Sequence, residues 1–159
     1  VPLLIPFGYE LQNNSRLELY QLNRDSNIWV KNTKDSISEY NVRWIRRRKI
    51  IKNRNLIVKI ATSTEISKEQ LLRINGSDII ELSLVNKKLG MPLYENHYKS
   101  MVTDELTKTI GQYKELHLFA SVPAGMAIEI GRHIQKGVFP KVYLYNYYKK
   151  YTHTNVLNE

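Results

Sequence analysis

Four short apolar runs, each followed by helix-like or polar sequence, constrain the fold of this chain more than any other feature. They are LIVKIA at residues 56–61, DIIELSLV at 78–85, LHLFA at 116–120 and KVYLYN at 141–146. Each has the length and the β-branched or aromatic content of a strand buried in a sheet. Between them, residues 66–73 read as a helix with Ser67 as its cap and Gln70 three positions on. Residues 100–113 and 123–135 also read as helices, and 86–98 as a loop. Strands alternating with helices predict βαβ units, hence a Rossmann-like α/β fold with a largely parallel sheet and flanking helices. Upstream, residues 3–12 show helical spacing at Leu4, Phe7 and Leu11, 16–22 and 27–31 read as strands, and the polar stretch that follows at 32–40 reads as a loop.

The beginning of the chain repeats its end. Val1-Pro2 and Val122-Pro123 both open an apolar helical segment, and each segment carries a glycine in similar surroundings, Gly8 and Gly131. A Tyr-bearing strand follows in both cases, around Tyr20 and around Tyr143 and Tyr145. Such a repeat implies two similar halves related by pseudo-twofold symmetry. The second copy has a strand leading into its Val-Pro helix and the first has none, so the expectation is that the parent protein extends upstream or that another chain supplies that strand.

Charge narrows the partners. With 24 Lys and Arg against 15 Asp and Glu, the net charge is +9, which favours an anionic partner or leaves a solvated basic surface. Seven basic residues (Arg43, Arg46, Arg47, Arg48, Lys49, Lys52 and Arg54) crowd around Trp44. They read either as a solvated connector or as a loop that meets phosphate or a neighbouring protomer. The absence of cysteine excludes disulfides, thiolate zinc sites and a Cys nucleophile. His97, His117, His133 and His153 lack the spacing of a metal motif, and no GxSxG elbow, Walker A loop or GxGxxG turn is present. No run approaches the ~18 apolar residues of a membrane span, and the N-terminus lacks the basic region of a signal peptide, so a cytoplasmic protein is expected.

Residues 116–132, a strand ending in a small residue followed by Val122-Pro123, an Ala-bearing helix and Gly131-Arg132, resemble the C-terminal signature of SAVED domains together with the Tyr strand at 142–145. Residues 8–11, 20–25 and Trp29 are similar to the end of the first half of such domains, and 56–61 to the strand that opens the second. The resemblance implies two CARF-like halves, here divided as 1–54 (the end of the first half plus the basic connector) and 55–159. It further implies a non-enzymatic sensor of a cyclic di-, tri- or tetranucleotide in CBASS or type III CRISPR defence, with adenine the expected base. It implies no other cofactor and no metal. Activation of a fused or partner effector and homo-oligomerisation on binding come with the same resemblance. A basic nucleic-acid-binding protein and a small nuclease on a Rossmann-like scaffold are the alternatives.

Ligands of open α/β sheets settle beyond the C-terminal ends of the strands. Ser121, Pro123, Ala124 and Gly125 there offer small residues and a helix N-terminus for phosphate, or else merely close helix–sheet packing. Thr62, Ser63 and Thr64 offer hydroxyls at a strand end, or else a helix cap. Tyr147 and Tyr148, read as lying past the last strand, and Arg24 and Trp29 in the first half, are the candidates for base contact. Tyr143 and Tyr145 read as lining a sheet face, and Arg132 as structural.

Overall fold

The computed structural model describes residues 3–12, 16, 18–23, 26–31, 40–47, 54–71, 74, 77–84, 107–148 and 150–158. Its elements run α1 (Leu4–Glu10), β1 (Tyr20–Asn23), β2 (Ile28–Lys31), β3 (Tyr40–Arg46), β4 (Arg54–Ala61), α2 (Lys68–Leu71) and β5 (Asp78–Leu84). Then follow α3 (Thr107–Ile110), β6 (Tyr113–Ser121), α4 (Ala124–His133), β7 (Lys141–Tyr148) and β8 (Lys150–Leu157). β1 and β2 form a separate antiparallel hairpin, and the other six strands form one sheet in the order β3-β5-β4-β6-β7-β8. The central pairs β5–β4, β4–β6 and β6–β7 are parallel, as the alternating pattern predicts. Both edge strands, β3 and β8, run antiparallel to their neighbours.

Burial on both faces explains the mostly apolar runs. Leu56, Val58 and Ile60 of β4 join Leu116, Leu118, Val142 and Leu144 in the main core under α1, α3 and α4. Ile57, Ala61, Ile79 and Phe119 face the other way, over Ile66 and Leu71 of the α2 segment. Lys59 interrupts β4 and is only 4% exposed. Its ammonium donates to Glu81 at 2.6 Å and to Glu65 at 3.2 Å, so the buried charge is paired.

The repeated glycines meet. A Cβ at Gly8 would fall 2.0 Å from the Ile128 carbonyl oxygen, and one at Gly131 would fall 2.0 Å from that of Ile5. Each glycine therefore opposes the carbonyl three residues before the other, which is the signature of a local twofold between α1 and α4. Only glycine lets two helix backbones approach so closely. Superposing Gly8 on Gly131 in the sequence sets β1 against residues 143–146 of β7 and β2 against 151–154 of β8, so helix and hairpin recur together. It also sets Leu3 and Phe7, 79% and 52% exposed, against Met126 and Ile130, both fully buried on the sheet.

Several sequence expectations shift. β7 continues through Tyr148 and an eighth strand follows, so Tyr147 and Tyr148 lie within a strand and not past its end. Tyr, Thr and Val suit that hairpin, but its weak apolar alternation concealed it. The basic segment is not a single connector, because Arg43 and Arg46 lie in β3 and Arg54 opens β4. Val42 and Trp44 alternate onto the main core while Arg43 reaches Glu81 on the other side, a two-residue period hidden by the charge run. The helix expected at 100–113 is described only at Thr107–Ile110, and Gly111 and Gln112 turn the chain into β6, which Tyr113 opens. The helix expected at 66–73 is described only at Lys68–Leu71, with Ile66 and Ser67 ahead of it outside the helix. The strand expected at 16–22 begins at Tyr20. The loops expected at 32–40 and 86–98 lie outside the described residues but for Tyr40, which opens β3.

Candidate functional site

β4 and β6 are parallel neighbours, with Ala61 opposite Ser121. Their C-terminal ends therefore emerge together, and the chain beyond them is tied. The N–H groups of Thr62 and Ser63 both donate to the Ser121 carbonyl, at 3.0 and 2.9 Å. The Thr64 N–H donates to the Ser121 hydroxyl at 3.1 Å, and the two hydroxyls share a bond of 2.6 Å. Two residues after Ser121, Pro123 caps α4 in an extended conformation, with no side-chain hydrogen bond to the helix start. Proline suits this position because the first-turn N–H groups have no partner inside the helix. The positive end of α4 thus opens beside two hydroxyls.

Exposure sorts the members of this rim. Thr64 and Ala124 are exposed, and Ser63, Ser121 and Pro123 half-buried. Gly125 is buried. Thr62 is buried too, and its hydroxyl turns inward to the Met126 sulfur at 3.5 Å. Tyr147 and Tyr148 belong to β7, whose parallel pairing with β6 extends to Phe119 and Tyr145, so their backbone follows on the same side. Trp29 is in β2 of the separate hairpin, 65% exposed, and takes no part in the Thr64–Ser121 junction. Arg24 lies outside the described residues. Arg132 donates to Glu129 within its own helix at 2.7 Å, the structural role expected of it.

A second polar cluster, not anticipated from sequence, occupies the sheet face away from α4. His117 stacks on Tyr143 with centroids 5.0 Å apart and shares a 2.8 Å hydrogen bond with the Tyr145 hydroxyl. Tyr145 in turn stacks on Phe119 at 4.3 Å, and His153 tilts against both tyrosines. Burial lowers the His117 pKa despite the opposing charge of Glu115, and burial raises that of Tyr145. Tyr143 and Tyr145 thus line a sheet face, as expected. Among the described residues no group of His, Asp and Glu is arranged to hold a metal ion.

The sequence matches the SAVED family, the "SMODS-associated and fused to various effectors sensor domain", over residues 1–156. The chain belongs to the SAVED family. No curated protein matches it by sequence. Among solved structures, it is similar to the Acinetobacter baumannii Cap4 SAVED/CARF-domain receptor with the cyclic trinucleotide 3'3'3'-cAAA, at 16% identity and a TM-score of 0.74. The same receptor with 2'3'3'-cAAA gives 17% and 0.75, and without a named ligand 18% and 0.65. These alignments cover 99% of the present chain and 34–36% of the receptor, so this SAVED chain spans about a third of their length. At such identity the likeness establishes the shared SAVED/CARF fold. Among the described residues of this SAVED chain, no helix is long and apolar enough to cross a membrane.

Proposed function

We propose that this SAVED domain senses a cyclic oligonucleotide at the rim where β4 and β6 end and α4 begins. The observation that carries the reading is the junction of the Thr62–Thr64 segment with Ser121, beside a helix start that no side chain caps. Phosphate is held well by such N–H groups and hydroxyls in a helix-terminal field. Ser63, Thr64, Ser121, Pro123 and Ala124 meet the ligand directly in this reading, while Thr62 and Gly125 shape the rim from beneath. Tyr147, Tyr148, Trp29 and Arg24 are proposed for base contact, the last two from the first half of the duplication, residues 1–54. The Cap4 receptor structures carry cyclic triadenylates, which supports an adenine-containing ring of that kind as the messenger.

The chain acts as a sensor and not as a catalyst. It passes the signal to a fused or partner effector through oligomerisation, in the cytoplasm of a prokaryote defending itself against phage. Titration calorimetry and thermal shift with cyclic di-, tri- and tetra-adenylate, against the linear trinucleotide, test the reading. One cyclic species should bind and stabilise while the linear one does not, and light scattering with that ligand should report a rise in mass. Absence of binding by every cyclic species, or equal binding of linear RNA, would sink it.

A further inference from the structure

Lys59 is the one charge in the run LIVKIA. The residues that share its side of the sheet, Ile57, Ala61 and Phe119, are apolar and buried. Apolar side chains in place of a buried ion pair generally leave stability unchanged or raised, so packing alone does not call for lysine here. What lysine supplies is reach. From 4% exposure its ammonium extends to Glu81 at 2.6 Å and to Glu65 at 3.2 Å, and the Glu65 side chain is 79% exposed. A cation buried on the sheet thus holds a carboxylate that lies in solvent, six positions further along the chain. The anchor is itself braced, because the other oxygen of Glu81 takes the Arg43 guanidinium at 3.2 Å and so joins β4 to β5 and β3.

The stretch closed by this ion pair contains the rim. Between Lys59 and Glu65 the chain leaves β4 at Ala61, and Thr62, Ser63 and Thr64 bond to Ser121. Those bonds fix the segment toward β6. Glu65 ties it back over its own strand, and Ile66, 2% exposed, then enters the second core. The exposed Thr64, whose hydroxyl shares a bond with that of Ser121, is therefore held from two directions. Stability is not what this tie chiefly supplies. An ion pair with one partner so exposed contributes little to it, because water screens the pair and a long side chain loses freedom. The same contact bears on affinity, because a segment ordered before binding does not lose that freedom when the ligand arrives.

We propose that Glu65 is a positioning residue of the rim: through Lys59 it holds the Thr62–Thr64 segment in the form that meets the cyclic oligonucleotide, without touching the ligand itself. This role rests on the rim being the place where that ligand binds.

Single substitutions separate contact from charge. Glu65→Ala removes both. Glu65→Asp keeps the charge on a side chain one methylene shorter, and Glu65→Gln keeps the reach, with an oxygen that still accepts from the ammonium. Glu69→Gln, at a nearby exposed acid outside the rim, removes an equal charge as the control. Amide relaxation of the unliganded protein reads the tie directly. Order parameters at Ser63 and Thr64 should fall from about 0.85 to below about 0.6 in Glu65→Ala and Glu65→Asp, and hold in Glu65→Gln and Glu69→Gln. Calorimetry at room temperature with cyclic di-, tri- and tetra-adenylate reads the consequence. The species that the wild type binds should lose about fivefold in affinity in Glu65→Ala and Glu65→Asp, under about twofold in Glu65→Gln, and nothing in Glu69→Gln. A purely structural role would leave the dissociation constant unchanged, because each variant stays folded at that temperature. Unchanged order parameters in Glu65→Ala and Glu65→Asp, wild-type affinity in Glu65→Asp, or tighter binding once the carboxylate is gone overturns the proposal. If no cyclic adenylate binds the wild type, the rim reading fails, and the order parameters alone decide whether Glu65 holds the segment.

Discussion

Replacing Gly8 by alanine tests the helix pair at its tightest point. The new Cβ would lie 2.0 Å from the Ile128 carbonyl oxygen, and separations under 3.0 Å essentially never occur, so the helices must part by about 1 Å. The obstructing atom is main chain and cannot rotate aside. Forced overpacking of this kind costs about 3 kcal/mol, here at the upper end because Ile5, Met126, Ala127 and Ile130 loosen together. Alanine returns about 1 kcal/mol through its better helix propensity, leaving a net loss of about 2 kcal/mol. In a domain of this size that is a fall in Tm of roughly 4–8 °C. Urea denaturation followed by circular dichroism measures it. Gly111→Ala is the control, because nothing lies within 4 Å of its Cβ position, and it should be neutral or slightly stabilising. Gly131→Ala should cost about as much as Gly8→Ala. The double variant should cost clearly less than their sum, since helices parted by one methyl already have room for the other. A stabilised Gly8→Ala protein, or strict additivity of the pair, would refute the reasoning.

Ala124→Glu puts a carboxylate at the exposed start of α4. It should weaken the binding of any cyclic oligonucleotide at least about tenfold in calorimetry, with unchanged circular dichroism. Glu81→Gln leaves the buried Lys59 ammonium without its short ion pair and should destabilise the fold by about 3 kcal/mol in urea. Burial raises the Glu81 carboxyl, but the bonds and charges of Lys59 and Arg43 outweigh it and hold the folded pKa below 4.5. The stability it contributes is therefore present above that value and fades as the pH falls below it. His117 acts in a separate window. Its folded pKa lies below 6.5 because burial disfavours the charged ring, so the unfolded chain binds the proton more readily and stability falls as the pH drops through 6.5. Unfolding free energies measured between about pH 7 and pH 5 should show a shallower decline in His117→Phe than in the wild type.

The central strands are legible because burial on both faces leaves a composition that little else produces, as in residues 56–61 and 116–120. The glycine repeat is legible for a similar reason, since close backbone contact admits only one residue type. β8 escapes because Thr152 to Asn155 are exposed and, among its described side chains, only Leu157 is buried in the core, so no apolar period marks it. β3 escapes because a run of arginines masks the alternation of Val42 and Trp44. The rim was half readable: small and hydroxyl-bearing residues after strands are a local signal. Their union is not, because it depends on Ala61 standing opposite Ser121 in a pairing that crosses some sixty positions of sequence.

The contact between Gly8 and Gly131 leaves no side chain between the helices to absorb displacement. Where side chains intervene, a shift of one helix dissipates in altered rotamers. Here main chain rests on main chain, and α4 begins at the rim about 10 Å along its axis from that contact. A change of tilt at the start of α4 must therefore carry α1 with it, which makes the crossing a pivot rather than a cushion.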